Sequence, residues 1–404
     1  MKTINKKKLK VIDLFSGCGG LNEGFKQAGF TTSVSNDIWE PAGNTFIRNN
    51  QDSRFVLGDI SQKKIRDEII KYGKGSDVII GGPPCQAYSM AGSRDVDDPR
   101  GKLFEDYLKI VKAVKPKYFV MENVKGLLSM EHDRIRLSEK DKKKLDKIKR
   151  LEGKKIELLL KRKQSKNTLK IKFTKSNEIE LDKIKIDLNN ERKLTSSLRI
   201  NVTEVIKKRF SSLGYDVHIK VLNAANYGVP QKRQRVIIIG GLDGYPVNFP
   251  EPTYKEKSTH NNLELFKSNY KDWMTVKEAI DDLKDIPEDT EFNHIFTKSG
   301  KDFQRKIKKT RIGSSVYGGF SDAYFKCPPN EPSRTVKENH GGVFLHYKKN
   351  RFMTPRELAR LQSFEDDFIF EGSKSQILVQ LGNAVPPKLG LAIAQTLKDQ
   401  IKLS

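Results

Sequence analysis

Cys85 stands near the end of Gly81-Gly82-Pro83-Pro84-Cys85-Gln86, directly after the apolar run Asp77-Val78-Ile79-Ile80. Such a run, closed by glycine and proline, predicts a buried strand with the cysteine on a turn at its carboxyl end. Open α/β sheets keep their ligands there. The two prolines fix φ ahead of the thiol and remove two backbone donors, so the turn is stiff. A thiolate so placed suits reversible addition to an electron-poor carbon. Taken alone, a cysteine in this setting is more often a small buried apolar residue. A second predicted strand, Tyr118-Phe119-Val120-Met121, ends in Glu122-Asn123-Val124, where a carboxylate could also serve a helix N-terminus. Arg233 and Arg235 lie where a third strand begins, a place where plain surface arginines also occur.

Those side chains need a sheet to hold them. Lys10-Val11-Ile12-Asp13-Leu14-Phe15 reads as a strand running into Ser16-Gly17-Cys18-Gly19-Gly20-Leu21 and then a helix. Glycines at a strand-to-helix turn let backbone approach a ligand while helix amides face an anion. The glycine spacing is not the dinucleotide fingerprint, so a nicotinamide dehydrogenase is excluded, and it would leave Cys85 without a purpose. Asp37 follows a short strand around Ser33-Val34-Ser35, placed for the two hydroxyls of a ribose, and Gly58-Asp59-Ile60 makes a third such corner. Alternation of strands and helices over residues 9–124 implies βαβ units and a mainly parallel sheet. One helix carries Leu103, Tyr107, Leu108, Ile110 and Val111 on a face before Lys115-Pro116 stops it.

Composition shifts after residue 130. Residues 141–170 hold 13 Lys and Arg against 4 Asp and Glu, with Leu145, Ile148, Leu151, Ile156 and Leu159 at helical spacing. Leu169, Ile171, Phe173, Ile179, Leu181, Ile184 and Ile186 then alternate like strands. The α/β pattern resumes with Val202, Val205, Ile206 and Phe210 on a helix face and strands from Tyr215 to Leu222 and Arg235 to Gly240. After Gly241-Leu242-Asp243-Gly244 the alternation is lost, and residues 245–350 are rich in Gly, Pro, Asn and Ser.

The 404 residues suggest two domains. Seventy-six basic against 51 acidic residues, a net charge of +25, mark a polyanion partner, most simply nucleic acid, although a lysine-biased proteome produces the same excess. Cys18, Cys85 and Cys327 are too widely spaced for a disulfide framework or a zinc cluster, so no metal is expected and a reducing cytoplasm fits. The basic start has only a short apolar run behind it, no signal peptide, and no stretch approaches membrane-spanning length.

Six segments occur in a telling order: Asp13-Leu14-Phe15-Ser16-Gly17-Cys18-Gly19-Gly20, Pro83-Pro84-Cys85-Gln86, Glu122-Asn123-Val124, Gln231-Lys232-Arg233-Gln234-Arg235, Arg356-Glu357-Leu358-Ala359-Arg360-Leu361-Gln362-Ser363-Phe364 and Gln380-Leu381-Gly382-Asn383-Ala384-Val385-Pro386. Through them the chain resembles the DNA cytosine carbon-5 methyltransferases of bacterial restriction-modification systems. Glu365, where the family usually has proline, and the basic insert at about 131–198 depart from the pattern.

The resemblance implies an α/β, Rossmann-like S-adenosylmethionine-dependent methyltransferase fold with a mainly parallel sheet, plus a smaller irregular target-recognition domain. Residues 1–243 would be catalytic, 244–350 would recognise the target, 351–378 would form a hinge, and 379–404 would return to the first domain. Cys85 would attack carbon 6 of a flipped-out cytosine, Glu122 would bond its amine and ring nitrogen 3, Arg235 would reach base and glutamate, and Arg233 would brace. S-adenosyl-L-methionine would meet Phe15, Gly17, Gly19, Gly20, Asp37, Ile38, Asp59, Ile60, Pro84, Leu103, Asn383 and Val385. Residues 86–100 would form a closing loop. Arg305, Arg311, Tyr317, Arg334 and Thr335 are candidate DNA readers, with phosphate contact or plain surface as the alternatives. The implied partners are double-stranded DNA and a restriction endonuclease acting on the same site, with the enzyme a cytoplasmic monomer. An RNA cytosine methyltransferase and an inactive DNA-binding regulator are the competing functions; a long segment between the arginine motif and Arg356 favours DNA, and an intact Cys85, Glu122 and Arg235 favour an enzyme.

Overall fold

The computed structural model describes residues 8–84, 99–133, 138–167, 172–257, 270–317, 324–338 and 344–403. Its described residues divide into two compact units, one built from residues 8–84, 99–125 and 209–403, the other from residues 126–208.

The first unit is built on a seven-stranded sheet. β1 (Lys10–Leu14) leads through α1 (Gly20–Gln27) to β2 (Thr31–Asp37), then through α2 (Glu40–Asn49) to β3 (Arg54–Leu57). After α3 (Lys63–Gly73) the chain crosses to β4 (Val78–Gly81), and α4 (Pro99–Val114) precedes β5 (Tyr118–Val124). The strand order is β3-β2-β1-β4-β5 with every pair parallel, and two later strands follow at the far edge. The chain leaves β1 in one direction and returns on its other side at β4, so the crevice at their carboxyl ends is the topological switch point. Val11, Ile12, Val78, Ile79, Ile80, Tyr118, Phe119 and Val120 are buried, because a parallel sheet is covered on both faces.

The second unit holds β6 (Glu131–Asp133), α5 (Glu139–Asn167), α6 (Lys175–Leu194) and β7 (Arg199–Asn201). The two strands pair antiparallel, Asp133 opposite Arg199, at the foot of a helical hairpin. Leu145, Ile148 and Leu158 of α5 pack with Leu181, Ile184 and Leu188 of α6. Helix α6 replaces the strands expected from Ile179, Leu181, Ile184 and Ile186; of the other residues in that pattern, Leu169 and Ile171 lie outside the described residues. Leu181, Ile184 and Leu188 recur at helical spacing and face inward, whereas Ile179 and Ile186 are exposed and had simulated a period of two. Thr174 and Asn177 form a reciprocal capping box that starts the helix.

Helix α7 (Val202–Ser211) leads to β8 (Tyr215–Asn223) and β9 (Gln234–Leu242), which complete the sheet; β9 is antiparallel to both β5 and β8. The sheet is mainly parallel, as expected. The following region is irregular: β10 (Tyr254–Lys255) pairs with β11 (Lys271–Asp272), and β12 (Phe325–Lys326) with β13 (Phe344–Leu345), around α8 (Val276–Ile280) and α9 (Lys301–Lys309). Its core joins Val276, Ile280, Phe325 and Phe344 to Leu358 and Leu361 of α10 (Pro355–Leu361) and to Ile377 and Leu381 of α11 (Lys374–Asn383). Arg356 of α10 is fully buried, yet each of its nitrogens is used: Nε, Nη1 and Nη2 donate to the carbonyls of Phe292, Glu365 and Phe368 at 2.9, 3.0 and 2.8 Å.

Helix α12 (Pro387–Leu403) packs on α1 through glycines. A Cβ at Gly24 would come within 2.3 Å of Leu391 N, and one at Gly390 within 2.9 Å of Leu21 O. The expectation that no stretch approaches membrane-spanning length needs correction: residues 374–403 are long and apolar enough for it by length and composition. Most of that stretch is buried in the fold, and the extended backbone of Ala384 breaks it into α11 and α12.

Candidate active site

The reversal of β9 decides the chemistry of the far sheet edge. Because β9 runs against β5, its first residues lie beside the last residues of β5, with Val124 opposite Arg235 and Glu122 opposite Ile237. Arg235 Nε thereby meets Glu122 Oε1 at 2.6 Å, with both side chains largely withdrawn from solvent. Burial pushes the Glu122 pKa up, opposed by the charges of Arg235 and Arg233. A carboxyl so poised can hold or release a proton in a way a surface glutamate cannot.

Asn123 ties this corner to the turn that delivers the cysteine. Its Nδ2 donates to Pro83 O at 3.0 Å, buried, while a Cβ at Gly82 would lie 3.2 Å from Glu122 Oε2. Cys85 itself and residues 86–98 of the expected loop lie outside the described residues. The other two cysteines are poor nucleophiles. Cys18 and Cys327 are buried, and desolvation raises their pKa values, that of Cys18 to about 12.

Arg233 turns away from solvent to donate from Nη1 to Val336 O at 2.8 Å and from Nη2 to Gly382 O at 2.9 Å. Burial lowers its pKa to about 9, still cationic at neutral pH. Gln231 locks the same segment: Nε2 donates to Leu361 O and Gln362 Oε1, and Oε1 accepts from Val336 N. The arginine motif is therefore bound to segments far along the chain, a role that spacing alone did not disclose for Gln231 or for Asn123.

At the other strand ends, Phe15 adopts a left-handed backbone, φ 55°, which an aromatic residue holds only when its surroundings impose it. Gly17, φ 53°, looks onto open space on the side where a Cβ would stand. Its amide donates to Asp37 Oδ2 at 2.8 Å, and Trp39 N donates to Asp37 Oδ1 at 2.9 Å. Gly58 N donates to Asp37 O, bringing the Gly58-Asp59 corner to the same place. Asp59 accepts from Ser61 N within its own turn. Gly20 allows Val385 to approach, since a Cβ there would lie 2.3 Å from Val385 O; Gly19, φ 92°, sits against the Phe46 ring. Asp13 is buried with Oδ2 lacking any hydrogen-bond partner among the described residues, and desolvation, then the nearby Asp37, raises its pKa.

These residues converge: Phe15, Gly17, Gly19, Gly20, Asp37, Asp59 and Val385 frame one end of the sheet. Pro84 closes the Gly-Pro turn and Leu103 is half-buried on α4. Ile38 is 67% exposed, Ile60 only 2%, and Asn383 is exposed at the end of α11. The expected DNA readers are more dispersed. Arg305 on α9 pairs with Asp302, and the exposed Tyr317 packs near Phe303 with Lys306 over its ring. Arg311 is exposed. Arg334 stacks on Phe325 at 3.8 Å, and the Thr335 hydroxyl donates to Lys232 O at 2.9 Å, joining Ser333, bonded to Pro230, in holding the arginine motif. A cavity of about 1150 Å³ opens elsewhere, lined by acids such as Glu256 and Asp281 together with Lys232, Lys257, Lys277 and Trp273; it contains none of the converging residues.

The C-5 cytosine-specific DNA methylase family model matches residues 9–149 and 185–399, leaving out most of the helical hairpin's outer part. The type II methyltransferase M1.HphI of Haemophilus parahaemolyticus is 33% identical, covering 96% of this chain and 86% of that protein. M.DdeI of Desulfomicrobium norvegicum is 30% identical, covering 96% and 88%. In fold, the chain is similar to a DNMT2 variant of Spodoptera frugiperda, TM-score 0.55 at 15% identity, covering 98% and 100%.

Proposed function

The chain belongs to the C-5 cytosine-specific DNA methylase family and is a DNA cytosine-5 methyltransferase; on that premise we propose that it acts on a cytosine turned out of duplex DNA, through a covalent adduct on Cys85. The observation that carries this is the corner at the end of β5: Glu122 paired to Arg235, and Asn123 holding the Pro83 turn that leads to the cysteine.

Carbon 5 of cytosine is a weak nucleophile. Bonding of the Cys85 thiolate to carbon 6 pushes electrons toward carbon 5, while Glu122 donates a proton to ring nitrogen 3 and neutralises the charge that develops. S-adenosylmethionine supplies an activated methyl group carried on a sulfonium. Once carbon 5 carries the methyl, the donor having left as the neutral thioether S-adenosylhomocysteine, loss of the carbon-5 proton to a base expels the Cys85 thiolate, and return of the nitrogen-3 proton to Glu122 restores both ring and acid. Arg235 holds Glu122 and the base, whereas Arg233, spent on two carbonyls, is a positioning residue. Because the target carbons are stacked inside a duplex, the base must leave the stack.

The residues at the first three strand ends fit the cofactor. Gly17 offers open space, Asp37 is held ready for ribose hydroxyls, and the Asp13 carboxyl adds a second acid beside it. Phe15, Asp59, Ile60 and Val385 would bound the adenosine, with Gly19 and Gly20 admitting backbone to it. Ile38, Pro84, Leu103 and Asn383 are assigned to its rim. Residues 244–350 would read the target, Arg305, Arg311, Tyr317 and Arg334 being the side chains available for it, while Thr335 serves the fold. In the cell the enzyme would act as a cytoplasmic monomer and protect host sites from a partner endonuclease.

Expression in a host lacking cytosine methylation, followed by bisulfite sequencing, tests this. Protection of cytosines within one recurring DNA sequence is expected. Unprotected DNA with methyl label recovered in RNA would overturn it.

A further inference from the structure

Helix α5 carries its charge unlike the rest of the second unit. It holds thirteen Lys and Arg against five Asp and Glu, a net +8, whereas α6 beside it has five of each. Many of these charges are neutralised locally: Lys144 pairs with Asp141, Lys147 with Glu191, Arg162 with Glu178 and Arg192 with Glu152. Lys143, Arg150, Lys154 and Lys161 are exposed and have no carboxylate partner among the described residues. Their spacings of seven, four and seven place them on one face of a helix. Over eighteen residues that face runs about 27 Å. The side that packs on α6 is centred on Leu145 and Ile148, away from the row, and Leu158 borders it beside Lys154 and Lys161; the four side chains themselves are exposed, so the row stays open.

Asp146 and Glu157 border the same face without pairing to any of the four, so it stays net positive, at a cost in self-repulsion and with no gain to the hairpin's own core. A solvated helix would more economically alternate its signs, as α6 does. We propose that the α5 row of Lys143, Arg150, Lys154 and Lys161 is a second DNA contact, which grips the phosphates of the duplex without reading its sequence. The inference rests on DNA being the substrate. A polyanion with regularly repeated charges along a rod matches an elongated row of four cations, and it asks nothing of base identity. The apolar side chains exposed on the hairpin, Ile156, Leu159, Leu160, Ile179 and Ile186, would suit a protein partner. By helical geometry those of α5 stand off the row, and no cationic requirement follows from them.

The test is the full chain carrying Lys143→Gln, Arg150→Gln, Lys154→Gln and Lys161→Gln, with Lys183→Gln/Lys185→Gln on α6 as the control. Binding to duplexes with and without the methylated sequence is measured from low to high salt, with circular dichroism to verify helix content. If each of the four cations neutralises one phosphate, its removal should flatten the slope of log affinity against log salt by about 0.9, roughly 3.6 for the row. The flattening should be equal on both duplexes, with the modified cytosine and the single-turnover rate at saturating DNA unchanged. The control should keep the wild-type slope. An unchanged slope in a well-folded quadruple variant would overturn the proposal and leave protein docking as the hairpin's use; so would a weakening confined to the specific duplex. Wild-type protein that neither binds nor methylates DNA would instead strike the functional assignment itself.

Discussion

Glu122–Arg235 and the α5 row use the same charged residue types in opposite ways. At the end of β5 the charges are drawn out of water, paired at 2.6 Å, and supported by Arg233, itself held by two carbonyls. Along α5 they face water, and the four of the row have no carboxylate partner among the described residues. Burial makes the first set sensitive to single atoms, because an ion left unpaired in a low-dielectric site is costly. Exposure makes the second set nearly additive, since each cation acts through a screened field. What separates the charges proposed for catalysis from those proposed for grip is the support around them.

The sharpest way to break that contrast is to alter the buried corner. Glu122→Gln keeps the shape and removes the proton donor, so kcat should fall roughly 1000-fold with little change in DNA affinity. Because burial raises the Glu122 pKa, the protonated form persists above the usual carboxylate range, and activity should decline as pH rises through that raised value. The variant should lack that limb of the single-turnover pH profile. Equal rates for variant and wild type would mean that the support at β5 is structural only.

Arg356→Met tests the same principle away from the chemistry. Three carbonyls lose their donor, so stability should drop by about 3 kcal/mol, measured by urea unfolding. A change below about 0.5 kcal/mol would show that water replaces the guanidinium easily.

The smallest effect is expected from the hairpin. Since Asp133 and Arg199 are paired neighbours, residues 134–198 can be exchanged for Asn-Gly, a favourable two-residue connection. The variant should remain folded and modify the same cytosine, with a shallower salt slope. A changed target sequence would place sequence recognition in the hairpin and erase the contrast.

Much of the sheet was legible because β3, β4 and β5 contain short apolar runs closed by glycine, proline or an acid, and the glycine-rich loop, Asp37 and Glu122 fall at or near strand ends, whereas β2 offers only Val34 as an apolar residue. The hairpin was half legible. α5 shows its helical spacing, but exposed isoleucines in α6 masked the period of Leu181, Ile184 and Leu188. Long-range bonds left no sequence signal: nothing local says that Arg233 reaches Val336 and Gly382, or that Asn123 holds Pro83. Thr335 shows the limit from the other side, as a polar residue expected to face DNA whose hydroxyl instead donates to the Lys232 carbonyl.

The most direct test of the central claim uses duplex DNA in which the target cytosine, once mapped, is replaced by 5-fluorocytosine. Fluorine at carbon 5 cannot be lost as a proton, so the thiolate cannot be expelled after methylation. Incubation with S-adenosylmethionine should yield a denaturation-resistant protein–DNA complex whose mass maps to the peptide containing Cys85, and Cys85→Ser should form none. Methylation of normal DNA by the serine variant at wild-type rate, or an adduct mapping to Cys18 or Cys327, would contradict the account.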